Sequence, residues 1–116
     1  MSRFEIRDNV LCALDATESV IHRHCPIGTR IVQLLPLGER LIVLEDYYLF
    51  PQGTSNLYCL DTTLSPVWSA ELPGYADTYA NRVIPTEAGL KCASWNGFSC
   101  MIDLDTGCIT HRVFTK

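Results

Sequence analysis

The sequence predicts an all-β protein, an antiparallel meander of about 10–11 strands in blade-like sheets that form an incomplete propeller or a sandwich-like array. Three observations lead there. No long segment places apolar residues at the helical spacing i, i+3, i+4, i+7. Short runs rich in Val, Ile, Leu and aromatics recur between Gly, Pro, Asn and Asp. One strand-and-turn pattern returns three times along the chain.

With 116 residues, 1–116 form one domain, divided into repeat units over approximately 3–24, 30–72 and 80–115. In the first unit, strands are expected over 4–7, 10–14 and 20–24, with Asp8-Asn9 as the turn of the first hairpin. The second unit reads as strands over 31–35, 40–45, 56–60 and 67–71, its first hairpin centred on Leu37-Gly38-Glu39. The third unit reads as strands over 81–85, 90–95, 99–104 and 109–114. Between the middle two of these lies Asn96-Gly97, a pair suited to a type I′ turn because both central residues need positive φ.

The repeat itself is Leu11-Cys12-Ala13-Leu14-Asp15-Ala16-Thr17, then Leu57-Tyr58-Cys59-Leu60-Asp61-Thr62-Thr63, then Met101-Ile102-Asp103-Leu104-Asp105-Thr106-Gly107. Its aspartates, Asp15, Asp61 and Asp105, are 46 and 44 residues apart (61 − 15 and 105 − 61). A period of ~40–50 residues marks a four-stranded propeller blade. The physical role of each aspartate is local: its carboxylate accepts backbone N–H groups where a strand reverses. The second copy, with Trp68 following its turn, resembles the repeat of the pyrroloquinoline-quinone-type β-propellers: an aliphatic, an aromatic, Ala, Leu, Asp, a Thr-Gly turn and a following Trp. The first and third copies resemble it in part. His22 and His111 stand where Trp68 stands, and only the third copy keeps the turn glycine, Gly107, in a turn that is expected to be shorter by one residue. The resemblance implies strand order and turn chemistry. It implies no quinone activity, because no cofactor-binding motif of those enzymes is recognisable.

Closed propellers need ~4–8 blades, and this chain has strands for fewer than three. The outward faces of its first and third units are therefore expected to be apolar and to need cover from a second copy, a partner, or a curled sheet.

Composition narrows function. Hydrophobic residues make up 47% and charged residues 19%, and the formal net charge is −4. No basic surplus points to nucleic acid. The most apolar stretch, 31–44, is broken by Gln33, Pro36, Gly38, Glu39 and Arg40, which predicts no membrane span. The opening residues Met1–Asp8 alternate with charges and predict no secretory signal, so a cytoplasmic location is expected. Six cysteines at 12, 25, 59, 92, 100 and 108 include no C-x-x-C pair and are expected to be free, buried thiols.

In a meander, alternate connections share one edge. That rule gathers Asp46, Tyr47, Tyr48 and Phe50 from one loop with Tyr75, Asp77 and Tyr79 from the next inter-unit link, beside Glu45 and Trp95. Tyrosine offers large contact area at low entropic cost, and acidic neighbours steer basic partners. Asp46, Tyr47, Tyr48, Phe50, Tyr75, Asp77 and Tyr79 are the candidate partner-binding set. Catalytic and metal readings are weaker. His22 and His24 share a strand face and could hold zinc with Cys25, but no second spaced pair exists. A Cys25 nucleophile would need His24 as base, yet successive strand side chains point apart. Asp103 and Asp105 share a face, but no dense acidic loop suits calcium. The expectation is no enzyme, no metal and no cofactor. The leading function is a small protein-binding module, an inhibitor or immunity-type protein covering a partner surface. The alternative is a self-assembling β scaffold or lectin-like module, a homo-oligomer holding a small ligand at its subunit joins.

Overall fold

In the computed structural model, which describes residues 3–115, the chain is a series of eleven strands. Met1 and Ser2, part of the opening stretch read above, and Lys116 lie outside the described residues. The strands are β1 (Arg3–Arg7), β2 (Val10–Leu14), β3 (Val20–His24), β4 (Ile31–Leu37), β5 (Arg40–Glu45), β6 (Leu57–Asp61), β7 (Pro66–Ser69), β8 (Ile84–Thr86), β9 (Gly89–Ala93), β10 (Phe98–Ile102) and β11 (Ile109–Phe114). They form three separate antiparallel meanders, β1-β2-β3, β4-β5-β6-β7 and β8-β9-β10-β11. Each sheet is one repeat unit, and none closes into a barrel.

Side-chain alternation explains how the units stack. In β5, Leu41 and Val43, with Tyr58 and Leu60 of the neighbouring β6, face the first sheet, where they meet Leu11 and Ala13. The intervening Ile42 and Leu44, with Leu57 and Cys59 of β6, face the third sheet, where they meet Leu90, Cys92, Cys100 and Ile102. The middle unit is thus buried on both faces, which is why β5 and β6 read as nearly unbroken apolar runs. The array measures 48 × 31 × 18 Å, as expected of sheets stacked in an open row.

The outer faces depart from the uniformly apolar flanks expected. On the first unit, Glu5 lies 2.5 Å from Arg7, and Arg3 lies 2.6 Å from Glu18. Arg23 shares that face, being registered opposite Cys12. This charged surface is suited to water. The third unit is mixed. Inward Cys92 and Cys100 put Lys91, Met101 and His111 on the outside, with exposed Ile84 and Val113 among them.

Turn chemistry also differs from expectation. Asp8 and Asn9 both have positive φ (51° and 63°), so the type I′ geometry sits there. At Asn96-Gly97 only the glycine does (φ 99°). Gly97 N–H donates to Ser94 O at 3.1 Å, closing a turn over Ser94–Gly97 with Gly97 as the left-handed residue that rejoins the ladder.

The Asp turns of the first two units match bond for bond. Asp15 Oδ1 accepts from Thr17 N–H, Thr17 Oγ1 and Ser19 N–H at 2.9, 2.7 and 3.0 Å. Asp61 Oδ1 accepts from Thr63 N–H, Thr63 Oγ1 and Ser65 N–H at the same distances, 2.9, 2.7 and 3.0 Å. The side-chain hydroxyl bond comes first in holding both carboxyls below the usual carboxylate range. In the third unit the accepting carboxylate belongs to Asp103, which takes Asp105 N–H at 2.8 Å. Asp105 lies inside the turn and is not its anchor. The pair Leu104-Asp105 imitates Leu14-Asp15 and Leu60-Asp61, but the strand ends at Ile102, so the repeat runs Ile102-Asp103 and the turn is one residue longer. The true spacings are 46 and 42 residues (61 − 15 and 103 − 61).

Candidate protein-contact rim

Three connections meet at one edge of the array: residues 46–56, the link 70–83, and the turn 94–97. Tyr47 stacks on Trp95 with ring centroids 5.1 Å apart. Trp95 N–H donates to Thr78 O at 2.8 Å. Tyr75 lies over Gly53, so closely that a Cβ there would sit 2.7 Å from its ring. A glycine is required at that point both for this approach and for its φ of 84°. The surface so assembled exposes Tyr48 (69%), Leu49 (80%), Tyr75 (75%) and Trp95 (55%).

The candidate partner-binding residues therefore separate. Tyr48 and Tyr75 are at the surface, and Tyr47 is half-buried in its stack with Trp95. Asp46 is half-buried, with Oδ1 accepting Tyr48 N–H at 3.0 Å and Oδ2 near Arg30 Nε at 3.4 Å. Phe50, Tyr79 and Asp77 are buried and offer a partner nothing directly. Phe50 folds back against Gly28. The Tyr79 hydroxyl donates to Glu71 O, and Asp77 Oδ1 accepts Thr78 and Asn96 N–H groups at 2.9 and 3.0 Å. The acidic character expected of the rim thus reduces to Asp46. Leu49 and Trp95, outside the selected set, belong to the surface. Trp95 could have been found from its place beside the Asn96-Gly97 turn; Leu49 carries no sequence signal.

The rim is held from beneath by buried, hydrogen-bonded polar groups. Glu45, at the end of β5, is fully buried. Its carboxylate accepts Ile27, Gly28 and Thr29 N–H groups at 2.8, 3.0 and 2.9 Å, and the Tyr58 hydroxyl at 2.5 Å. Burial alone would raise its pKa; the Thr29 bond, the Tyr58 hydroxyl and the two other N–H groups outweigh it, and the carboxyl lies below its ordinary value. An ionised carboxylate only accepts, so the Tyr58 oxygen in turn accepts from His24 Nε2, 2.7 Å away. Burial pushes the Tyr58 phenol far up and the His24 imidazole down, so His24 is neutral near pH 7. Asn56 ties the middle unit to the link: its Nδ2 donates to Glu45 O and Tyr79 O at 2.9 and 2.8 Å, and its Oδ1 accepts Tyr79 N–H at 2.9 Å. Gln33 does the same from β4, pairing through both amide atoms with Val83 N–H and O at 2.7 and 2.9 Å.

Trp68 shows how neighbouring units dock. Its Nε1 donates to Leu104 O at 2.9 Å, and its ring lies so close to Gly107 that a Cβ there would fall 2.6 Å from it. His22, in the equivalent place on the first unit, contributes to lowering the Asp61 carboxyl of the second, behind that turn's own hydrogen bonds. His22 and His24 share a face but no ligand geometry: His24 is committed to Tyr58. No group of three or more His, Cys, Asp or Glu side chains placed for a metal occurs among the described residues. All six thiols are free; Cys12, Cys59, Cys92 and Cys100 are buried and Cys25 and Cys108 exposed.

No protein-family model matches the sequence, and no curated protein matches it. Solved structures do. BamB from Moraxella catarrhalis superposes over 97% of this chain and 31% of its own, with a TM-score of 0.65 and 15% identity. The computationally designed Ika8 protein superposes over 97% of this chain and 36% of its own, with a TM-score of 0.63 and 11% identity. The chain therefore spans about a third of the length of these two structures. At such identities the likeness concerns the fold alone, and the fold is propeller-like: blade-like antiparallel sheets stacked face to face in series.

Proposed function

We propose that the chain is a small, non-catalytic protein-binding module of the cytoplasm that covers a surface on another protein, as an inhibitor or immunity-type protein does. One observation carries the reading: Tyr48, Leu49, Tyr75 and Trp95 are exposed together on one rim whose loops are anchored by buried, hydrogen-bonded polar groups. Large apolar and aromatic side chains on a preorganised backbone lose little entropy on binding and match the composition of binding hot spots. The test is affinity capture from the source cell, read by mass spectrometry, with three baits. The wild type and a Val113→Ser variant, altered on the far face, should recover the same protein. A combined Tyr48→Ala, Leu49→Ala, Tyr75→Ala variant with an unchanged circular dichroism spectrum should lose it. Equal recovery by the rim variant would overturn the assignment.

A second reading is favoured by the third unit, where Ile84 and Val113 are exposed on the outer face and His111 occupies the place from which Trp68 docks. In that reading copies of the chain associate through this face as a β scaffold. Light scattering distinguishes it: association that disappears in Val113→Glu supports the scaffold, and a monomer at high concentration removes it.

A further inference from the structure

Between the first and second units lies a cavity of about 220 Å³, away from the rim aromatics. Its apolar lining is Ile27, Leu60 and Pro66, His24 and Tyr58 supply its polar end, and Trp68, whose ring faces the third unit, borders it from the edge strand β7. The pocket is open to solvent, with Ile27 half exposed at its mouth, and is smaller than the ~300–1,000 Å³ typical of pockets for drug-sized ligands. The space here suits one small ring system. Its polar end is fixed in a single hydrogen-bonding state by the chain behind it. Glu45 accepts from Tyr58, so Tyr58 accepts from His24 Nε2, and the proton of the neutral imidazole is placed on that nitrogen. Nδ1 is left as an acceptor with no partner among the described residues. A cavity with carbon walls and one preset acceptor discriminates in favour of a ligand that is apolar in body and donates one hydrogen bond.

We propose that this pocket binds a small uncharged aromatic molecule bearing a single hydrogen-bond donor, of phenol or indole size, seated against Ile27, Leu60 and Pro66 with its donor on His24. The buried negative charge of Glu45 works against an anionic ligand such as a carboxylate. The pocket shares the Glu45 network with the rim but none of its exposed aromatics, so a failure to bind the aromatic probe leaves the protein-binding reading untouched.

The probes are p-cresol and toluene, which share shape and differ in the hydroxyl. Titrations follow the Ile27 methyl and His24 ring resonances by NMR. For p-cresol a saturable shift is expected with a dissociation constant on the order of 0.1–1 mM. Toluene should bind ~10-fold more weakly, the usual worth of one buried hydrogen bond. His24→Phe keeps the ring and should erase that difference. Ile27→Trp should fill the space and abolish both titrations, and Ser69→Leu, at the opposite lip, should do the same by a different substitution. The proposal is overturned by no saturable p-cresol shift up to ~10 mM. It is equally overturned by equal affinity for toluene and p-cresol in the wild type, or by binding that survives both filling variants.

Discussion

Replacing Glu45 by Gln keeps the size and shape of the side chain and removes its charge. The wild-type carboxylate accepts four hydrogen bonds, from Ile27, Gly28 and Thr29 N–H and the Tyr58 hydroxyl. A glutamine offers one accepting oxygen. In its better orientation that oxygen keeps Gly28 and Thr29, while the amide NH₂ faces Ile27 N–H, donor against donor. Tyr58 adapts by accepting from the new NH₂ and donating to His24, but Ile27 N–H is left buried without a partner. That unmade bond costs ~1–3 kcal/mol, and two charge-assisted bonds become neutral at a further ~1 kcal/mol. The expected total is ~2–4 kcal/mol, or a Tm lower by roughly 10–15 °C for a domain of this size. Thermal unfolding followed by far-ultraviolet circular dichroism at pH 7 measures it. The pH dependence adds a sign. The Glu45 carboxyl is lowered in the folded state, so the stability it contributes is complete above the unfolded carboxylate pKa and is lost as pH falls through the folded value. His24 acts in the same direction at higher pH: its folded pKa is depressed, so the unfolded chain takes up the proton first and stability declines as pH drops below the ordinary histidine value. Glu45→Gln should flatten the lower part of the acid limb and leave the histidine part. A variant melting within ~1 °C of the wild type, with an unaltered acid limb, would refute the claim that this carboxylate holds the 27–29 segment in place.

Two other outcomes follow from the unit-to-unit contacts. Gly107→Ala forces a Cβ to within 2.6 Å of the Trp68 ring at a φ of 77°, so it should destabilise by ~2–3 kcal/mol and alter the near-ultraviolet Trp signal, while an unchanged melt and spectrum would deny that docking. Val113→Glu on the outer face of the third unit should change stability by less than ~0.5 kcal/mol in a monomer, and a larger, concentration-dependent loss would reveal that the face is covered by another copy.

The fold was legible because strand signals here are local. Gly38 and the Asp8-Asn9 pair punctuate hairpins, and the apolar run Leu41–Leu44 announces a strand buried on both sides. Register was less legible. Leu104-Asp105 has the right residue types for the third turn, but the anchor is decided by where β10 stops pairing with β9, at Ile102 opposite Leu90, which only the assembled sheet determines. The rim was half legible. Alternating connections placed its loops correctly, but which aromatics face water depends on contacts far apart in sequence. Phe50 turns inward onto Gly28, and Tyr79 is drawn in by Asn56 and Glu71, whereas Tyr75 stays out on Gly53. Glu45 was the residue most misjudged: as an acidic side chain beside Asp46 it reads as surface charge. Three backbone N–H groups from a segment 16 to 18 residues earlier make its burial favourable, and no short motif announces them.

The account rests most heavily on the rim as a place of protein contact. The direct measurement is calorimetric titration of the captured partner with the wild type and with Tyr48→Ala and Tyr75→Ala separately. Each substitution should weaken binding by more than ~1 kcal/mol while leaving the unfolding midpoint unchanged. Affinities equal to wild type for both variants would contradict it.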